Sequence, residues 1–199
     1  MSGDLYFINS YKRNKHQALR LKRNLVKLGI KPKNVKIVYG YDLKQPETYK
    51  HKHPNLTKSK LVFHNFFDFI SPKMVKSGRN CYYLEDHTVV YDNPEKYPKK
   101  NKMVWLGFMK RLSDYIVGAH LVFLHKDLIK EMDAEKDTYR PSYIDRLFKK
   151  IGEEKRYLQI DKSLTQIVEH YSLALKKTRK NPRNKHFIFY NNKTKKNKK

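Results

Sequence analysis

Residues 4–39 run from an apolar stretch through an amphipathic one to a second apolar stretch, and this order limits the fold more than any other feature of the chain. Residues 4–8 predict a short strand, with Asn9 and Ser10 as a polar break after it. From Asn14 onward, Ala18, Leu21, Leu25 and Leu28 recur at helical spacing, so one apolar stripe turns inward until Gly29 ends the helix. Residues 35–39 return as a second strand. A strand, a helix and a parallel return strand make a right-handed unit whose crevice opens at the carboxyl ends of the strands. Residues 9–13 and 40–42 are therefore expected beside any ligand.

The rest of the chain continues in the same style. Residues 44–56, with Pro46 and Pro54, read as a polar loop over the crevice. Thr57 stands where a helix cap is needed, and Leu61, Phe66, Phe69 and Ile70 form the buried face of a helix that Pro72 is expected to interrupt. Residues 80–84 predict a third strand running straight into Glu85, Asp86 and His87. Residues 103–108 and 116–124 read as two more strands, 126–132 as a short helix and 156–160 as a last strand. Pro141 opens a helix with Ile144, Leu147, Phe148 and Ile151 on its apolar face. Leu164, Ile167, Val168, Tyr171 and Leu175 fall at helical spacing. Phe66, Phe67, Phe69 and Trp105 read as core. The fold class expected is α/β, a mixed and mostly parallel sheet flanked by helices.

Composition bounds the chemistry. A chain of 199 residues can bury one α/β core. With Cys81 as its one cysteine it forms no internal disulfide and no cysteine-based zinc site, which fits a reducing, cytoplasmic compartment. No apolar run approaches the roughly 18 residues of a membrane span, and residues 1–4 carry no signal-peptide pattern. The 45 Lys and Arg against 19 Asp and Glu give a net charge of +26. Eleven of these basic residues and no acid fall in residues 176–199, leaving 26 − 11 = +15 on residues 1–175. The division expected is a domain at 1–175 and a basic tail at 176–199. Such a field attracts nucleic acid, phosphorylated ligands or acidic surfaces, while a Lys- and Asn-rich coding bias produces the same composition. No zinc-finger, helix-turn-helix or RNA-recognition signature accompanies it.

Acidic residues at the end of a central strand suit nucleotide diphosphate chemistry. One carboxylate holds the ribose, and a ligand two positions on holds a divalent metal that neutralises the pyrophosphate as it leaves. Alternate residues at a strand end face the same way, so Glu85 and His87 are expected on one side and Asp86 on the other. An ordinary acidic loop after a strand is the competing reading. His120 and His125 read as structural histidines rather than ligands.

The motifs beginning at Leu5, Tyr6, Phe7, Ile8, Asn9 and Arg13, then Leu28-Gly29-Ile30, Gly40 with Asp42, His64, Leu84-Glu85-Asp86-His87 and Trp105-Leu106-Gly107 occur in the order found in family 25 glycosyltransferases. The chain resembles that family over roughly residues 4–170. The resemblance implies a GT-A-like nucleotide-sugar-binding fold and metal-dependent transfer of a sugar from a nucleotide-sugar donor, usually with manganese (Mn2+), to a glycan, protein or lipid acceptor. It implies donor-binding roles for Asn9, Arg13, Asp42 and Glu85, metal ligation by Glu85, Asp86 and His87, and a substrate or metal contact at Asp145. A helix-surface pairing of Asp145 with Arg146 or Lys149 is the other reading. Large DNA viruses carry similar transferases, which would place such a chain in host cytoplasm or virion. The sequence departs from the family pattern at His87, where an aspartate is usual, at Ser10 and at Phe63. A degenerate structural or virion protein that binds nucleic acid or an acidic partner through its tail is the alternative function.

Loss of residues 176–199 is expected to weaken binding to heparin or duplex DNA and to flatten its salt dependence by about 0.9 log units per phosphate contact removed. Titrations of full-length and shortened chains against salt measure this, and equal slopes locate the interaction on the domain instead.

Overall fold

The computed structural model describes residues 3–107, 110–112, 115–160, 165–167, 170–172 and 177–179. Strand β1 (Leu5–Ser10) is wholly buried, and helix α1 (Lys15–Lys27) buries Ala18, Leu21 and Leu25 before the chain reverses at Gly29, with φ +95°. Strand β2 (Val35–Tyr39) then pairs parallel to β1, Tyr6 opposite Val35. The expected strand, helix and parallel strand are thus in place, and their carboxyl ends share one rim.

Helix α2 (Lys58–Asn65), a π-helical turn (Phe66–Ile70) and helix α3 (Ser71–Ser77) follow as one nearly continuous helical run, ended by Gly78 in the left-handed region. Pro72 does not interrupt this run as expected. It occupies the first turn of α3, where a missing N–H is tolerated, and the wider π turn before it relieves the clash a proline ring makes with the preceding turn. Strand β3 (Cys81–Glu85) pairs parallel to β1, and a turn leads into β4 (Thr88–Val90).

Strand β5 (Met103–Gly107), the hairpin of β6 (Lys110–Leu112) and β7 (Tyr115–Val117), and β8 (Leu121–Leu124) come next. The single strand expected over 116–124 is broken, because Gly118 takes φ +86° and turns the chain between β7 and β8. Helices α4 (Lys126–Ala134) and α5 (Ile144–Glu154) precede β9 (Leu158–Ile160). The large sheet has the order β2-β1-β3-β8-β5-β9, and β8 alone runs against its neighbours.

Where a helical stripe is expected from Leu164 to Leu175, the described residues 165–167 and 170–172 are strand, while Leu164, Val168 and Leu175 lie outside the described residues. Strand β10 (Thr165–Ile167) pairs antiparallel with β4, and β11 (His170–Ser172) with β12 (Lys177–Arg179). Apolar spacing over so short a stretch fits either state, and β4 supplies an open edge that rewards the β-branched residues here as strand. Residues 180–199 of the expected tail lie outside the described residues. Among the described residues, no helix is long and apolar enough to cross a membrane.

Two apolar layers sandwich the sheet. One face packs Phe7, Tyr83, Trp105 and Val122 against α2 to α5 through Phe66, Met74, Leu128 and Phe148. The other packs Tyr6, Ile8, Leu84 and Phe123 against α1. Phe66, Phe67 and Trp105 are core residues, as their setting in apolar runs indicated. At the end of β2, the buried Asn65 amide accepts from the Tyr41 N–H at 2.7 Å and donates to the Tyr41 carbonyl at 3.2 Å, fastening the rim to α2. A side chain on Gly40 would collide with that amide. Gly40→Ala is therefore expected to destabilise the chain by about 1–3 kcal/mol, read as a lower midpoint in urea with an unchanged slope.

Candidate functional site

The carboxyl ends of β1, β2 and β3 meet the amino end of the antiparallel β8, because Leu84 pairs with Leu121. Asn9 stands opposite Glu85 in register. The turn after β3 is held from several sides. The Asp86 N–H donates to the Asn9 carbonyl at 3.2 Å, and Asn24 on α1 clasps both backbone groups of Val90 at 2.8 and 3.0 Å. On the β8 side, the His120 N–H donates to the Gly107 carbonyl at 3.0 Å and the Thr88 hydroxyl to the His120 carbonyl at 3.4 Å.

This scaffold brings a carboxylate and two imidazoles together. Glu85 Oε2 lies 3.3 Å from His87 Nε2 and 3.3 Å from His120 Nδ1. One ligand atom from each of the three residues lies within 4.8 Å of the other two. The His87 and His120 rings meet edge to face at 5.1 Å. Asp86 takes a different position: its Oδ2 accepts from the buried Ser10 hydroxyl at 2.7 Å, while its Oδ1 lies 3.6 Å from His87 Nδ1. Ser10, a departure from the resembled family, thus serves as the anchor of Asp86.

The other candidates line the same rim. Arg13 Nε lies 3.0 Å from Asp42 Oδ2, with its guanidinium 5.3 Å from the Tyr11 ring centre. Asp42 is buried and its Oδ1 accepts from the Lys44 N–H at 2.9 Å. Asn9 donates to the Tyr83 hydroxyl at 3.1 Å, while its buried Oδ1 has no hydrogen-bond partner among the described residues. Asp145, in the first turn of α5, accepts from the Gly118 N–H at 3.1 Å and thereby fastens the turn that carries His120. Burial, and then the carboxylates of Asp86, Glu85 and Asp42, push the Tyr11 hydroxyl well above its ordinary range. Three acids therefore act on one spot of a strongly basic chain.

Sequence reasoning read His120 as a structural histidine, and the structure sets it beside Glu85. Its place in an apolar run read as strand interior, and the signal against that reading was Gly118, a glycine inside a strand pattern that marks a bend. Once the strand breaks there, His120 falls at the start of β8 and faces Glu85.

A second group joins the loop at residues 44–56 to the helical run that follows it. Asp68 Oδ2 is 2.7 Å from His53 Nε2, accepts from the Tyr41 hydroxyl at 2.7 Å and lies 3.3 Å from Lys52 Nζ. The His53 and His64 ring centres are 3.9 Å apart. Burial raises the Asp68 carboxyl, but its bonds to His53, Tyr41 and Lys52 outweigh this and hold it below the usual carboxylate range. Burial, reinforced by His53, lowers His64 to about 4.

No family model matches the sequence, and no curated protein does either. Among solved structures, the chain is similar to a glycosyltransferase involved in the glycosylation of the major capsid of PBCV-1, with TM-score 0.49 and 10% identity over 80% of this chain and 83% of that one. It is similar to the galactosyltransferase LgtC in complex with donor and acceptor sugar analogs, with TM-score 0.43 and 10% identity over 78% and 72% of the two chains. For the bifunctional glycosyltransferase WbbM the TM-score is 0.37, with 12% identity over 68% of this chain and 33% of that one.

A histidine lowered on folding is protonated more readily when unfolded. His64 therefore contributes fully above the ordinary value near 6.5, and its contribution is lost as pH falls from there towards 4. Thermal midpoints in metal-free buffer should fall over that window in the native chain and fall less in His64→Gln.

Proposed function

We propose that the chain transfers a sugar from a nucleotide-sugar donor to an acceptor on a GT-A-like fold. The observation that carries this reading is the convergence of Glu85, His87 and His120 at the carboxyl rim of a mixed sheet. A rim that also carries Asp86 and Asp42 repels a pyrophosphate unless a cation stands between them. One carboxylate and two imidazoles suit a divalent ion of the Mn2+ to Zn2+ series, so the residues fit the group the reading requires. When bound there, the ion would neutralise the departing nucleoside diphosphate.

The remaining residues orient and hold. Ser10 fixes Asp86 so that its other oxygen faces His87. Asp42 extends Arg13 along the rim, where the guanidinium is available to a phosphate or ribose. Asn9 offers its open Oδ1 to a donor hydroxyl. Asp145 acts through Gly118, keeping the turn of His120 in register, and we assign it as a positioning residue.

A second reading has one observation in its favour. His87 stands where the resembled family carries an acid, which leaves less negative charge for a hard cation such as Mn2+. A domain that binds nucleotide without turning it over follows from that weakening.

Calorimetry with uridine diphosphate tests the proposal. Mn2+ should raise affinity in the native chain, and Glu85→Ala with His87→Ala should lose about tenfold or more. Equal affinities would sink the site. His87→Asp should preserve or increase metal-dependent donor hydrolysis; a folded variant that binds uridine diphosphate but hydrolyses no donor supports the second reading.

A further inference from the structure

We propose that His53, His64 and Asp68 form a second divalent-metal site, selective for zinc-like ions, that fastens the loop over the crevice to the helix beneath it. The site is separate from the Glu85 cluster and does not depend on the transferase reading.

Three observations meet here. One ligand atom from each residue lies within 4.8 Å of the other two, a spacing that small side-chain rotations convert into a shared coordination sphere. Two imidazoles and one carboxylate are the donor set of zinc and similar borderline ions, and an open fourth position is left for water. The backbone has an unusual form at the same place. His64 and Asp68 stand four residues apart on one helical face, and the π-helical turn that carries Asp68 begins at Phe66. Such turns are rare and recur at functional sites because they re-aim side chains.

The surroundings show what an ion would replace. Asp68 Oδ2 now gathers His53 Nε2, the Tyr41 hydroxyl and Lys52 Nζ. A cation between Asp68 and the two rings displaces the proton shared by His53 and Asp68, and its charge turns the Lys52 ammonium out to solvent. Tyr41 keeps its hydrogen bond and becomes the group that orients the ligating carboxylate. Its ring already packs edge to face on His53 at 5.3 Å and on Phe69 at 4.7 Å, so the carboxylate is approached by a fixed partner.

The mechanical consequence follows from where the ligands lie. His53 belongs to the segment that leaves Asp42, crosses a short 3-10 turn at Pro46–Thr48 and returns to α2. His64 and Asp68 belong to the helical run that Asn65 ties to the end of β2. Ligation would close this loop at its far end, with Tyr41 and then Asp42 and Arg13 at its near end. An ion bound here would therefore set the position of the loop beside the rim without a contact to the Glu85 cluster.

The test uses the full chain, free of tags and stripped with chelator, in a Glu85→Gln, His87→Gln background that disables the first cluster. Zinc binding is read by calorimetry, Co2+ binding by visible absorption, and loop order by protease cleavage within residues 44–56. One equivalent of Zn2+ is expected, with tetrahedral Co2+ bands and slower cleavage when metal is present. His53→Gln, His64→Gln and Asp68→Asn should each weaken zinc by about tenfold or more. His53→Gln changes a loop residue and leaves the sequence of the helical run intact, so it remains informative if the helix variants unfold. No binding in this background, binding unchanged in folded His53→Gln, or Mg2+ competing as well as Zn2+ would each overturn the proposal. Retained zinc with no change in cleavage would overturn the fastening role.

Discussion

The site depends on one strand running the wrong way. Strands β1, β2 and β3 point together, and β8 enters beside β3 in the opposite sense, so that the start of β8 lies at the end of β3. A parallel strand in that position would deliver its last residue to the rim, while the antiparallel one delivers its first. His120 reaches Glu85 for that reason, and the turn at Gly118 and its hydrogen bond to Asp145 keep it there. The same insertion lets β5 and β9 extend the sheet, so the topology that makes the core also makes the cluster.

Charge supplies the second constraint. The chain carries +26 overall, yet its crevice gathers Glu85, Asp86 and Asp42. Buried acids of this kind persist only with partners, and each has one: Asp86 has Ser10, Asp42 has Arg13 and Glu85 has two histidines. On the proposed reading, a basic exterior would draw a phosphorylated ligand inward and a cation on the acidic rim would receive it. The two halves of this arrangement are complementary and not in conflict.

The loop at residues 44–56 and the helical run from α2 to α3 couple the rim to the body. Asn65 binds the backbone of Tyr41, and Tyr41 in turn binds Asp68, so a displacement of the helix is felt at the residue next to Arg13's partner Asp42. The π turn matters in this chain of contacts because it admits Pro72 while keeping Asp68 below His53.

Much of the fold was legible in the sequence because it depends on local period. The stripe Ala18, Leu21, Leu25 buries the face that its spacing indicated, the apolar runs at β1, β2, β3 and β5 form strands, and the acids Glu85 and Asp86 stand at the carboxyl end of β3. Local period failed where partners decide. Residues 165–167 and 170–172 carry spacing that suits a helix, but pairing with β4 and within a hairpin makes them strand. The sequence likewise named Glu85 and His87 as neighbours, since they stand two positions apart, and could not bring His120 or His53 to their carboxylates. Those meetings join residues distant along the chain, and only the direction of β8 and the return of the loop across α2 set them. Residue type and spacing determined which groups could act; strand order and loop closure determined which of them meet.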